Sequence, residues 1–200
     1  MVHLIPNILT FGRFVLTVIF IAMLLYSPQV ENRNTFLDVA FVIFVVAGLT
    51  DIIDGRIARK FNVTTKFGRM VDPLADKILV CGSFISFALI GQPKLYNLSP
   101  GWLALIHWSV AAVLIAREAY VTVLRHLAEA RGINFAATVS GKIKMFLQSF
   151  AIGTVVIKMA HVPTATWASC FTSTVFIIML LVTIISGVRA TKRRLSREAS

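Results

Sequence analysis

The chain has 200 residues, 57% of them hydrophobic, and a mean hydropathy of +0.81, which leaves too little polar surface for a water-soluble domain of this size. Apolar runs of roughly 20 residues recur without the alternation of a β-barrel, so the expected class is an all-α integral membrane protein. The net charge of +11 would suit nucleic acid, but in a membrane chain basic residues gather in cytoplasmic loops facing anionic lipid, and their distribution here argues for membrane lipids and against a nucleic-acid partner.

Six spans are predicted, over 8–26, 36–58, 68–91, 101–125, 143–160 and 165–187. The first is long, lacks a small-residue cleavage site and is followed by further spans, which makes it a mature helix rather than a signal peptide. Asn7, Thr10 and Arg13 form a polar stripe at i, i+3 and i+6 along it. Asn7, after Pro6, reads first as a helix N-cap and second as a ligand reaching a nucleotide from inside the bundle. The connections 27–35, 92–100 and 160–165 hold turn formers such as Pro28, Asn32, Pro93, Asn97 and Pro163, and carry only Arg33 and Lys94. The opposite connections and the tail carry thirteen basic residues: Arg59, Lys60, Lys66, Arg69, Arg125, Arg131, Lys142, Lys144, Arg189, Lys192, Arg193, Arg194 and Arg197. The excess of positive charge on that side predicts six transmembrane helices with both termini and the 59–69 loop in the cytoplasm. No linker, repeat or low-complexity stretch divides the chain, so residues 1–200 are expected to form one membrane domain. Cys81 and Cys170, both in apolar runs with no metal-type spacing, are expected to pack as small hydrophobes.

Against this background the stretch DIIDGRIARKFNVTTKFGRMVDPLAD, residues 51–76, holds four of the nine acidic residues. If the second span stays helical through Arg59, then Asp51, Asp54, Gly55 and Ala58 lie on one face, two carboxylates above two very small side chains. Asp72 and Asp76 share a face one turn apart, with Gly68 a turn earlier; Pro73 either follows Asp72 as the first residue of a capped helix or sits at a kink. Four carboxylates near a bilayer must be protonated, paired or joined by metal. Oxygen-only ligands favour hard ions such as Mg²⁺ or Mn²⁺. Salt bridges to Arg56, Arg59, Arg69 or Lys77 are the structural alternative, but they leave the notch of small residues unexplained.

The pattern D-x2-D-G-x2-A-R-x8-G-x3-D-x3-D is filled at every position and resembles the signature of the CDP-alcohol phosphatidyltransferases. IPNILTFGR near the N-terminus and IAREAYVTVLRHLAEARGINFAATVSGKIKMFLQ are similar to the phosphatidylglycerophosphate synthase branch of that family, and the similarity is diffuse only in the last span. The resemblance implies a six-helix membrane enzyme that transfers a phosphatidyl group from CDP-diacylglycerol to sn-glycerol 3-phosphate and releases CMP. It further implies that Asp51, Asp54, Asp72 and Asp76 bind two divalent cations, that Gly55, Ala58 and Arg59 accommodate the cytidine diphosphate, and that Asp76 is also the candidate base; Asp51, Asp54, Asp72, Gly68 and Asn7 are further candidates for binding CDP-diacylglycerol. The expected setting is a bacterial cytoplasmic membrane, with the site facing the cytoplasm; a homodimer is neither required nor excluded by the sequence.

An acceptor phosphate needs cations, and Arg117, Arg125, Lys142 and Lys144 are the candidates, with Glu118 balancing or orienting them. His126 is a further candidate for that pocket, whereas His107 and His161 have no partner evident from sequence. Other family members use inositol phosphate, serine or phosphatidylglycerol as the alcohol, and phosphate-binding cations argue against serine. Membrane prenyltransferases also carry aspartate pairs, but lack the notch at Gly55, Ala58 and Arg59. A cation carrier would show metal flux without CMP formation, and neither inverted repeats nor carboxylate pairs on other spans support it.

Overall fold

Apolar runs separated by short polar turns should fold as consecutive antiparallel helices, and the computed structural model shows that arrangement. It describes residues 4–61, 66–96, 98–131 and 139–198, with the side chains of 4–10, 51–61, 66–73, 129, 139–140 and 193–198 outside the description. Among the described residues there are six α-helices and no strand: α1 (Leu4–Tyr26), α2 (Arg33–Phe61), α3 (Lys66–Leu89), α4 (Pro100–Ala130), α5 (Val139–His161) and α6 (Thr166–Glu198). A short 3-10 turn, Ser27–Gln29, joins α1 to α2.

Several helices outrun the predicted spans. α6 continues to Glu198 rather than stopping near residue 187, because the basic tail is mostly Ala, Lys, Arg, Leu and Glu, with Thr191 and Ser196, and contains no Pro or Gly after Gly187. α1 already includes Leu4, so Asn7 lies inside the helix and is not its N-cap. Pro6 is tolerated there because the first backbone N–H groups of a helix have no intrahelical acceptor to lose. α3 runs unbroken from Lys66 through Pro73, which removes the alternative in which Asp72 caps a helix starting at Pro73.

Five helices are long and apolar enough to cross a membrane among the described residues, over Phe11–Gln29, Arg33–Thr50, Pro100–Ala128, Gly141–His161 and Thr166–Lys192. The protein is a multi-pass membrane protein. The predicted span over 68–91 is described in its side chains only from Leu74 onward, so it lies partly outside the described residues. Outward faces match a lipid solvent: α6 alone exposes Phe171, Ile177, Ile178, Leu181, Ile184, Ile185 and Val188. Cys170 also faces outward, contrary to the core position expected for it, while Cys81 is half-buried. Lipid accepts a small weakly polar thiol as readily as a packed core does. Tyr26, Tyr96, Trp102 and Trp167 are exposed around one end of the bundle, the end opposite the carboxylate-rich stretch, as amphipathic rings at a bilayer interface should be.

The helices close into a ring in the order α1, α2, α5, α6, α4, α3, and α3 also touches α5 across it. The apolar part of the core is filled by Phe20 and Leu24 of α1, Phe44 of α2, Phe84 and Phe87 of α3, Leu114 of α4, Ile152 and Val155 of α5, and Phe176 and Met179 of α6. Close helix approach uses small residues. A Cβ on Gly82 of α3 would stand 2.5 Å from Ile21 Cδ1 of α1, and one on Gly153 of α5 would stand 3.2 Å from Phe41 Cε2 of α2. Several buried hydroxyls are satisfied within their own helices, as where Ser86 donates to the Gly82 carbonyl and Thr172 to the Ala168 carbonyl, both at 2.8 Å, while Thr17 Oγ1 and Thr183 Oγ1 are buried without a partner among the described residues. At the aromatic end, Lys158 donates to the carbonyls of Val162 (3.4 Å) and Pro163 (3.2 Å) and to Ser169 Oγ (3.2 Å), closing the α5–α6 turn. The two histidines without evident partners find them here: His107 Nε2 lies 3.1 Å from the Pro93 carbonyl, and His161 Nε2 lies 2.8 Å from Asp38 Oδ1.

Candidate active site

The inward stripe of α1 decides where its one cation goes. Arg13, Thr17, Phe20, Leu24 and Ser27 are all buried and follow one another at spacings of three or four residues, so Arg13 sits on the core side of the helix. Its Nη1 lies 3.3 Å from Asp76 Oδ1 of α3, with Arg13 only 3% and Asp76 33% exposed. This partner is none of the basic residues near in sequence. A buried guanidinium therefore orients a carboxylate that still opens to its surroundings. Asp51, Asp54 and Asp72, with Gly55, Ala58, Arg59, Gly68 and Asn7, have helical backbones but side chains outside the described set. Their helices establish register only: Asp51, Asp54 and Ala58 on α2, and Gly68, Asp72 and Asp76 at successive four-residue steps on α3. Both helices pack against α1, which carries Arg13.

A second polar cluster lies where α4, α5 and α6 converge. Glu118 Oε1 accepts from Lys144 Nζ and, at 3.1 Å, from Arg117 Nη1. Arg117 Nη2 donates to Ser186 Oγ at 2.8 Å, and Ser186 Oγ donates to the Thr183 carbonyl at 2.9 Å. Lys144 is buried, while Arg117 and Glu118 keep 12% and 13% of their side chains exposed. Two cations thus share one carboxylate in a site that excludes most water. Arg117 Nε and Gln148 Nε2, one turn beyond Lys144, are buried without a partner among the described residues.

Of the predicted acceptor residues, the fold brings Arg117 and Lys144 together and leaves Arg125 and Lys142 exposed. The difference between the two lysines is geometric: positions two apart on a helix point about 200° apart, so one inward lysine makes the other outward. His126 is exposed as well. Ser186 was not among the residues singled out from the sequence. One serine among several in a long apolar helix carries no local signal, and its role depends on a partner 69 positions away. α3, which presents Asp76 toward α1, also packs on α4 and α5, so it is the wall common to both clusters.

The sequence model for CDP-alcohol phosphatidyltransferase matches residues 3–187. The chain belongs to the CDP-alcohol phosphatidyltransferase family. A protein of Mycobacterium tuberculosis named "Probable phosphatidylglycerophosphate synthase" is 33% identical over 192 residues, covering 94% of this chain and 80% of its own length. Two proteins named CDP-diacylglycerol--glycerol-3-phosphate 3-phosphatidyltransferase are also similar. That of Bacillus subtilis is 36% identical over 155 residues, 74% of this chain and 73% of its own length. That of Escherichia coli is 34% identical over 150 residues, 74% of each. As a CDP-alcohol phosphatidyltransferase, the chain is an enzyme.

Proposed function

We propose that this CDP-alcohol phosphatidyltransferase transfers the phosphatidyl group of CDP-diacylglycerol to sn-glycerol 3-phosphate, giving phosphatidylglycerophosphate and CMP. The relatives' names support the donor and the acceptor. The observation that carries the acceptor is the buried pair Arg117 and Lys144, held around one carboxylate with an excess of positive charge, as a phosphate dianion requires. Arg125 and Lys142, exposed in the same region of α4 and α5, are assigned to the approach of the phosphate.

In the reaction, an acceptor hydroxyl oxygen forms a bond to the phosphatidyl phosphorus, the bond from that phosphorus to the oxygen of CMP breaks, and the hydroxyl proton leaves. We assign that proton to Asp76, whose carboxylate Arg13 holds in place. The donor set fits a pair of hard divalent cations, Mg²⁺ or Mn²⁺: four carboxylates, with Asp51 and Asp54 one turn apart on an unbroken α2 and Asp72 and Asp76 one turn apart on an unbroken α3. When bound, such ions neutralise charge on the donor diphosphate. Gly55, Ala58, Arg59, Gly68 and Asn7 are assigned to the cytidine diphosphate. The whole chain is read as one domain in which α3 is the sixth crossing, with the site on the cytoplasmic side of a bacterial membrane. This placement leaves the polar substrates in water and the acyl chains in lipid.

Release of CMP from CDP-diacylglycerol, measured with each candidate alcohol in turn, tests the reading. Glycerol 3-phosphate is expected to support release, and release with inositol phosphate or phosphatidylglycerol alone would replace the acceptor. Orientation is tested separately in a Cys81→Ala, Cys170→Ala background. A cysteine at Asn32 should react with an impermeant reagent from outside, and one at Arg131 only after the cytoplasmic face is opened. Labelling of position 131 from outside would overturn the orientation.

A further inference from the structure

We infer that Ser186 is a positioning residue for the acceptor site, acting through Arg117. The inference rests on the glycerol 3-phosphate reading above and deepens it. Arg117 is anchored at both ends of its guanidinium fork, by Glu118 on its own helix and by Ser186 Oγ on α6 at 2.8 Å. The serine hydroxyl is in turn fixed, because it spends its own proton on the Thr183 carbonyl and therefore presents a lone pair to Arg117. Ser186 is 4% exposed, so it sits where water has little access.

The arginine stem also passes beside α6: a Cβ on Gly187 would stand 3.5 Å from Arg117 Cγ and 4.0 Å from its Nε, ordinary van der Waals contact. Without the serine, the Glu118 contact alone would leave the guanidinium free to rotate about Nη1. A planar cation that recognises phosphate through a fork loses most of its advantage when its plane is not held. α6 closes the helix ring between α4 and α5, and Ser186 is its point of contact with the cation that α4 contributes.

The Michaelis constants for glycerol 3-phosphate and for CDP-diacylglycerol, measured by CMP release with the full-length protein, test this. Ser186→Ala is expected to raise the constant for glycerol 3-phosphate about ten-fold, the worth of one hydrogen bond to a charged group, and to leave that for CDP-diacylglycerol within about two-fold. Ser186→Thr, which keeps the hydroxyl, should stay close to wild type. In an Arg117→Lys background, which removes the fork, Ser186→Ala should add less than about two-fold. Equal changes in both constants, no change in either, or an undiminished effect in the Arg117→Lys background would overturn the inference. If wild type instead uses another phosphorylated alcohol, the acceptor reading falls and the same comparison on that alcohol decides the role of Ser186. If it uses an alcohol without phosphate, both fall.

Discussion

Asp76→Asn is expected to lower turnover by roughly 10²–10⁴-fold, the contribution of a positioned general base. Asn preserves the shape of the side chain but cannot take the acceptor proton. It also leaves Arg13, 3% exposed, without the negative charge it faces at 3.3 Å. Binding of CDP-diacylglycerol, measured directly with Mg²⁺ or Mn²⁺ present, should fall much less than in Asp51→Asn or Asp54→Asn. Those positions are assigned to the donor and its cations alone. Arg13→Gln separates orientation from proton transfer: it should reduce turnover less than Asp76→Asn, because the base remains but is less firmly held. The assignment of Asp76 fails if Asp76→Asn loses donor binding as completely as Asp51→Asn and regains turnover when more metal is supplied. Asp76 would then be a ligand, with the base elsewhere.

The second large effect concerns Glu118. Its carboxylate is the shared counter-charge of Lys144 and Arg117, so Glu118→Ala leaves two cations in a site with little access to water. Removing one partner of a buried ion pair costs about 3–5 kcal/mol, far more than the intact pair contributes, because the charge left behind is neither solvated nor matched. Thermal unfolding in detergent should show that loss. Lys144→Ala differs in kind, since Glu118 keeps Arg117 as partner. Its main effect should be on the acceptor, with the Michaelis constant for glycerol 3-phosphate rising roughly ten- to hundred-fold and that for CDP-diacylglycerol little changed. Lys142→Ala should act in the same direction but more weakly, because an exposed charge is screened. Greater destabilisation by Lys144→Ala than by Glu118→Ala would show that the carboxylate is not the keystone of the cluster.

Much of this protein is determined by local features of its sequence. The length and apolarity of its runs require helices in a bilayer, since backbone groups in lipid must be bonded within their own segment. The spacing of Asp51, Asp54, Gly55 and Ala58 on α2, and of Gly68, Asp72 and Asp76 on α3, was legible because each set spans only about two turns of one helix, where periodicity alone puts residues on a common face. Charge along the chain separated one side of the bundle from the other for the same reason. The partners across the bundle were not legible. That Arg13 meets Asp76, that Lys144 turns inward and Lys142 outward, and that Ser186 holds Arg117 from 69 positions away follow from which helices are neighbours in the ring and how each is rotated. Helix rotation is set by the packing of whole apolar faces, such as Phe20 against Phe44 and Phe84 against Phe176. No short window of sequence contains that information, so the tertiary structure alone selects which polar residues meet.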